Sequence, residues 1–217
     1  MENPWQRLRA SVVDGEAWLE LARRYHGRGL DWQAGYAARQ AVRCQSALGA
    51  SVQALGIPGW SDAASGDGLL GRADLPDARK LAEDFSAMVR DFPEDWLSWL
   101  YLARLWEMPA LAVDSEAPRH HAEALERARQ LEIIPGETLH WMGVWRLGAG
   151  DAQGAVRALS ALVDNSASRS PRYGSLMFLG EALLRVGNVP AAEAAFTRAS
   201  HSPNPDFLLS LARRGYT

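Results

Sequence analysis

Few residues in this chain have the type and spacing to do chemistry. His120 and His121 are adjacent, with Glu116 and Glu123 close by, a grouping that suggests a metal. Neighbours on a helix point about 100° apart, however, so the two rings do not converge on one ion, and packing or capping is the expected role of His121. Gly66-Asp67-Gly68-Leu69-Leu70-Gly71 satisfies the G-x-G-x-x-G phosphate-binding pattern. That pattern works only between a strand and a helix, where the helix N-terminus meets a pyrophosphate. Here Pro58 to Ser65 precedes it without strand character and Pro76 follows, which reads as a loop. Cys44 is the only cysteine, so no intramolecular disulfide forms, and its helical surroundings suit a small packing residue. Glu83-Asp84 and Glu94-Asp95 read as helix-end charges, and no Gly-x-Ser-x-Gly elbow occurs. The chain therefore carries no catalytic constellation, and no cofactor or metal is expected.

The composition, 47% apolar and 23% charged with a formal net charge of −3, argues for a folded chain and against a polyanion binder. Arginine and acidic residues are interleaved along its length, so no nucleic-acid partner is expected. Lys80 is the only lysine among 23 basic residues, a bias expected of a GC-rich, bacterial genome. The N-terminus (Met1-Glu2-Asn3-Pro4-Trp5-Gln6-Arg7) lacks an apolar leader core. No run reaches the roughly 18 apolar residues of a membrane span. The expectation is a cytoplasmic protein without membrane insertion.

The elements that would hold any site come from a repeat. Leu176-x2-Leu179-Gly180-x2-Leu183 is followed by Gly187, then Ala192-x3-Phe196-x2-Ala199, with Pro203 beyond. Trp18-x2-Leu21-Ala22-x2-Tyr25 is followed by Gly29 and Ala34-x3-Ala38-x2-Ala41, and Leu139-x2-Met142-Gly143-x2-Arg146 by Gly150 and Ala155-x3-Leu159-x2-Leu162. Twelve positions separate the small residue of the first helix from that of the second in all three copies: Ala22 to Ala34, Gly143 to Ala155, Gly180 to Ala192. Small residues let two helix backbones approach while Leu, Phe and Trp fill the space around them. Gly29, Gly150 and Gly187 suit a left-handed helix C-cap, and Asp31, Asp151 and Asn188 are the expected N-caps of the second helices.

At these residues the chain resembles the tetratricopeptide repeat (TPR) family, whose pattern is W-x2-L-G-x2-Y, then A-x3-F and a proline. The resemblance runs from Asp14 to Gly215. It implies an all-α fold, a right-handed α-solenoid of antiparallel helix pairs with a concave groove. The organisation expected over 1–217 is a single solenoid: an N-terminal cap over 1–13 and a first repeat with an extended helix over 14–55. A Gly-rich loop follows over 56–75 (Gly56 to Leu75), then a lone second-type helix over 76–93. A repeat with a loop insertion covers 94–135, two repeats cover 136–169 and 170–204, and a capping or truncated helix ends the chain over 205–217. In the 94–135 repeat, Trp99-x2-Leu102-Ala103-x2-Trp106 pairs with His121-x3-Leu125-x2-Ala128 across a loop from Met108 to Arg119. The helix Leu81-x3-Phe85-x2-Met88 is expected to find its partner within Gln45 to Leu55.

Trp18, Trp99 and Trp106 fill pattern positions and are expected in the core. In TPR superhelices the residue before the Leu-Gly-like pair faces the groove, which here implies Glu20, Tyr101, Trp141, Phe178 and Ser210. Tyr101, Trp141 and Phe178 would form an aromatic stripe, with Trp145 one turn from Trp141. Arg23, Arg104, His140, Met177 and Glu181 would supply polar and adaptable contacts beside it. The family resemblance implies a protein–protein interaction scaffold that binds a peptide or helix. The carboxylate clamp of chaperone-binding TPR proteins needs Lys and Asn at groove positions, and this chain lacks that set. Two alternatives stand beside this reading. One is a substrate-recruiting TPR arm of a larger enzyme, such as an O-linked glycosyltransferase, with its catalytic domain outside this chain. The other is self-association, one groove receiving another chain's terminal helix.

Overall fold

The computed structural model describes residues 3–58, 78–164 and 173–203. Its regular structure is all helical among these residues: twelve α-helices and one 3-10 turn, with no strand. None of these helices is long and apolar enough to cross a membrane. The chain divides into two compact units, Met1–Ile134 and Pro135–Thr217. The G-x-G-x-x-G stretch at 66–71, Ser210 and the terminal segment 205–217 lie outside the described residues.

Three helix pairs share one turn. Helix α2 (Gly15–His26) pairs with α3 (Asp31–Cys44), α9 (Glu137–Gly148) with α10 (Ala152–Asp164), and α11 (Tyr173–Arg185) with α12 (Val189–Ser200). Gly29, Gly150 and Gly187 have φ of 70°, 87° and 82°, the left-handed region that side chains with a Cβ avoid. The next residue then donates its N–H to the carbonyl five positions back: Leu30 to Tyr25 at 3.0 Å, Asp151 to Arg146 at 2.8 Å, Asn188 to Leu183 at 2.9 Å. Each bond satisfies a terminal carbonyl and reverses the chain, as a Schellman cap does. Asp151 and Asn188 then cap their second helices, accepting from the N–H of Gly154 at 2.8 Å and of Ala191 at 3.3 Å. Asp31 does not. The N-cap of α3 is Leu30, with no side-chain bond, and Asp31 is the first helical residue, where its charge still suits the positive helix end.

The first unit holds α1 to α8. Helix α1 (Pro4–Ala10) buries Trp5 and Leu8, starts on an Asn3 cap and is tethered by the Arg7–Asp14 ion pair at 2.9 Å. After α3 the chain breaks at Gln45 (φ −148°, ψ 95°) into the 3-10 turn Ser46–Leu48 and the short α4 (Gly49–Gln53), so no helix continues through Leu55. Helix α5 (Ala78–Asp91) packs on α6 (Trp96–Trp106) and on α7 (Pro109–Ala112), whereas α4 packs on α3. The inserted loop after α6 thus carries a helix of its own, and α8 (Ala117–Leu131) closes on α6 beyond it.

The core of this unit is a chain of aromatic rings. Trp5 meets Trp18 edge-on at 6.2 Å, Trp18 meets Tyr36 at 5.8 Å, and Tyr36 contacts both Trp96 at 5.7 Å and Trp32 at 5.9 Å. Trp32 continues to Tyr101 at 6.1 Å, which stacks on Phe85 at 4.5 Å. Each such pair adds about 0.5–1.5 kcal/mol beyond area burial. Trp18 is fully buried, as its pattern position implies, but Trp99 and Trp106 are only half-buried. The Trp99 indole spans back to the Pro93 carbonyl at 3.0 Å, as Trp18 does to Val12 at 2.9 Å. Trp106 stacks on His120 at 4.7 Å. His121 stands where a repeat has its small residue and caps with its ring, Nδ1 lying 3.0 Å from the Ala103 carbonyl.

One buried carboxylate links α2 to α6. Asp95 caps α6, accepting from the Ser98 N–H at 3.1 Å and its hydroxyl at 2.8 Å, and Tyr25 of α2 donates its hydroxyl to it at 2.7 Å. Burial pushes the Asp95 carboxyl above its ordinary value, against the pull of the Tyr25 and Ser98 donors. Burial, with Asp95 alongside, pushes the Tyr25 hydroxyl well up too. Replacing Asp95 by Ala removes a helix cap, a loss of about 1 kcal/mol, and strands a buried hydroxyl, which costs about 1–3 kcal/mol. Asp95→Asn keeps an acceptor but cannot ionise. Because the folded-state pKa is raised, the proton on Asp95 stabilises the fold fully below the unfolded carboxyl value near about 4. That contribution is lost as pH rises through the folded value. Urea unfolding between pH 4 and 7 should therefore show the wild-type chain losing stability relative to Asp95→Asn; parallel profiles would mean the carboxyl is not titrating in the fold.

Candidate functional site

Helices α9 and α11 pack side by side in the second unit and bring together a group of aromatic and polar side chains. Two glycines set this spacing by letting each first helix lie directly on its second. A Cβ on Gly143 would sit 2.5 Å from Leu159 Cγ, and one on Gly180 would sit 2.5 Å from Phe196 Cε1. Leu159, Leu179, Leu183 and Phe196 form the buried core behind that contact, with Phe178 packed against it.

His140 is at the centre of the exposed side. Its Nδ1 lies 2.8 Å from the Oγ of Ser175, a buried residue of α11, so the ring is pinned between the two helices. It meets Trp141 edge-on at 5.2 Å and Phe178 at 5.9 Å. Trp141 donates its indole N–H to Glu137 Oε2 at 2.9 Å, four residues back on the same helix face. Trp145 lies 6.0 Å from Trp141, as their four-residue spacing requires. At the far edge Arg185 donates to the Leu147 carbonyl at 2.9 Å and to Glu181 at 2.8 Å. That guanidinium bridges the last turn of α9, where the helix dipole favours a cation.

No protein-family model matches the chain, and no curated protein does. The reading of the site accordingly rests on its own geometry.

Of the residues singled out by spacing, His140, Trp141 and Phe178 are half-buried, with His140 touching each of the other two, and Glu181 is half-buried beside Arg185. Trp145 and Met177 belong to the same helices but are buried at 1% and 6% exposure, so neither presents a surface to a ligand. Met177 joins Leu176 and Ala199 in a core cluster. Tyr101, Arg104 and Arg23 are in the first unit. Tyr101 is core, stacked on Phe85, and burial pushes its hydroxyl up to about 12. Arg104 is 3% exposed, 3.8 Å from Glu107, rather than an open polar contact. Arg23 is exposed, while Glu20 is engaged by Arg7 and Arg24, both at 3.5 Å. Two members of the face were not foreseen. Glu137 could have been found from its four-residue spacing to Trp141, whereas Ser175 meets His140 only through tertiary packing.

What this face offers is contact. It has aromatic area held rigid by neighbours, an imidazole fixed from behind, and carboxylates at the edge. Its geometry depends on the glycine contacts beneath. Gly180→Val forces the Phe196 ring aside and should destabilise the second unit by about 1–3 kcal/mol. Gly174→Ala in the same helix meets nothing within 4 Å and should be neutral or gain up to about 1 kcal/mol. Thermal unfolding of the two variants checks this, and equal melting temperatures would remove the close contact as a determinant.

Proposed function

We propose that this chain is a TPR-like helical-repeat scaffold that binds an extended peptide or a helix. In this reading the ligand lies across α9 and α11, the first helices of the two pairs in the second unit. The observation that carries it is the half-buried cluster of Trp141, His140 and Phe178. Three rings on two helices, joined through His140, present a surface that gains contact area without losing much side-chain freedom. Such a surface suits apolar or proline-containing segments, whose rings and branched chains pack on indole and phenyl faces. The three glycine-turned hairpins and the fixed twelve-residue spacing of small residues support the TPR-like architecture. Glu137 and Glu181 would then select against ligands with acidic groups beside their apolar anchors.

The test is a selection from a random peptide display library on the whole chain, followed by fluorescence anisotropy of the enriched sequences. Trp141→Ala, at a half-buried position, should weaken binding about tenfold or more while helicity by circular dichroism stays unchanged. Gly174→Ala serves as the folded control. Peptides that bind Trp141→Ala as tightly as the wild-type chain would remove this face from the argument.

A further inference from the structure

A second site lies in the first unit, apart from the face on α9 and α11. Between α5, α6 and α7 there is a cavity of about 210 Å³ lined by Arg79, Ala82, Glu83, Ser86, Arg90, Trp106 and Leu111. The five α5 residues fall at i, i+3, i+4, i+7 and i+11, one face of that helix. Its centre is small, because Ala82 has only a methyl group and the Ser86 hydroxyl donates back to the Ala82 carbonyl at 2.6 Å. Trp106 and Leu111 supply the opposite wall, and His120 stacked on Trp106 at 4.7 Å holds that indole in place.

The rim carries three exposed charged side chains, Arg79, Glu83 and Arg90. Arg7, Arg24, Arg119 and Arg185 each pair with a nearby carboxylate. Arg79, Glu83 and Arg90 line this cavity without an ion pair or hydrogen bond among the described residues. Two guanidiniums outweigh one carboxylate, so the rim attracts an anion. Arg79 and Arg90 are eleven residues apart, about 16 Å along the helix, with Glu83 between them. An acid group is therefore steered to one end of the cavity and away from its middle. Guanidinium matches the planar carboxylate and can bond to both of its oxygens.

We propose that this cavity binds a small organic acid: a carboxylate with a ring-sized apolar body, the ring against Trp106 and Leu111 and the carboxylate on Arg79 or Arg90. The volume decides the size of the body. It is below the roughly 300–1,000 Å³ of pockets that enclose drug-sized ligands, and it admits a single ring. The two lining guanidiniums against one carboxylate decide the charge.

The experiment is titration calorimetry of the whole chain with 3-phenylpropionate, with 2-phenylethylamine as a cation of matching shape. The acid should bind saturably below about 10 mM, as its few heavy atoms allow, and at least tenfold more tightly than the amine. The double variant Arg79→Gln/Arg90→Gln should weaken the acid at least tenfold. Ser86→Leu, which fills the cavity from a half-buried position, should abolish binding with both arginines in place. No saturation by the acid, equal binding of the amine, or unchanged affinity in either variant that remains helical by circular dichroism would each overturn the proposal.

Discussion

A pair of antiparallel helices can share a core only if their backbones come close, and here that closeness is set by residues with little or no side chain. Gly143 lies under Leu159 and Gly180 under Phe196 at distances that leave no room for a methyl group. Ala22 and Ala34 take the same places, fully buried, in the first unit. The large side chains around each contact pack only because the small residue is there. The positive-φ glycine at each turn sets the reversal that brings the two helices face to face.

The two units stabilise their helices by different means. The first relies on aromatic volume: seven rings, from Trp5 to Phe85, run in contact through its core, and a buried Asp95 ties α2 to the start of α6. A carboxylate taken out of water is costly unless donors surround it. Tyr25 and the two Ser98 donors offset part of that cost here, although burial still raises the carboxyl above its ordinary value. The second unit is built from aliphatic layers with glycine contacts, and most of its rings among the described residues belong to α9 and α11. Trp145 and Phe196 are buried in it, while His140, Trp141 and Phe178 are half-buried and keep some surface.

Where the α6–α8 pair departs from the pattern, chemistry fills in for the missing small residue. His121 replaces it and spans the wider gap with a hydrogen bond to the Ala103 carbonyl. The insertion that separates α6 from α8 folds into α7, whose Leu111 is buried and helps form the cavity beside α5. A departure from repeat regularity thus creates this concave space.

Helix content, the three glycine-turned pairs and their capping residues were legible in the sequence, because periodicity, glycine position and cap chemistry are local properties of the chain. Asp31 was misread because its neighbour Leu30, a residue without capping chemistry, took the cap position. The side a residue faces was only partly legible. The register that would place Tyr101, Trp141 and Phe178 alike on an inner wall says nothing of what packs over each one. Phe85 covers Tyr101, and Trp141 retains an open edge. Pairings between residues distant in the chain, His140 with Ser175 and Tyr25 with Asp95, follow from how helices pack together. Sequence alone determined the three glycine-turned helix pairs and where they turn, but not the short helix α7 or the break at Gln45. Tertiary packing decided which side chains were buried and which remained as surface, since burial depends on neighbours that no local pattern specifies.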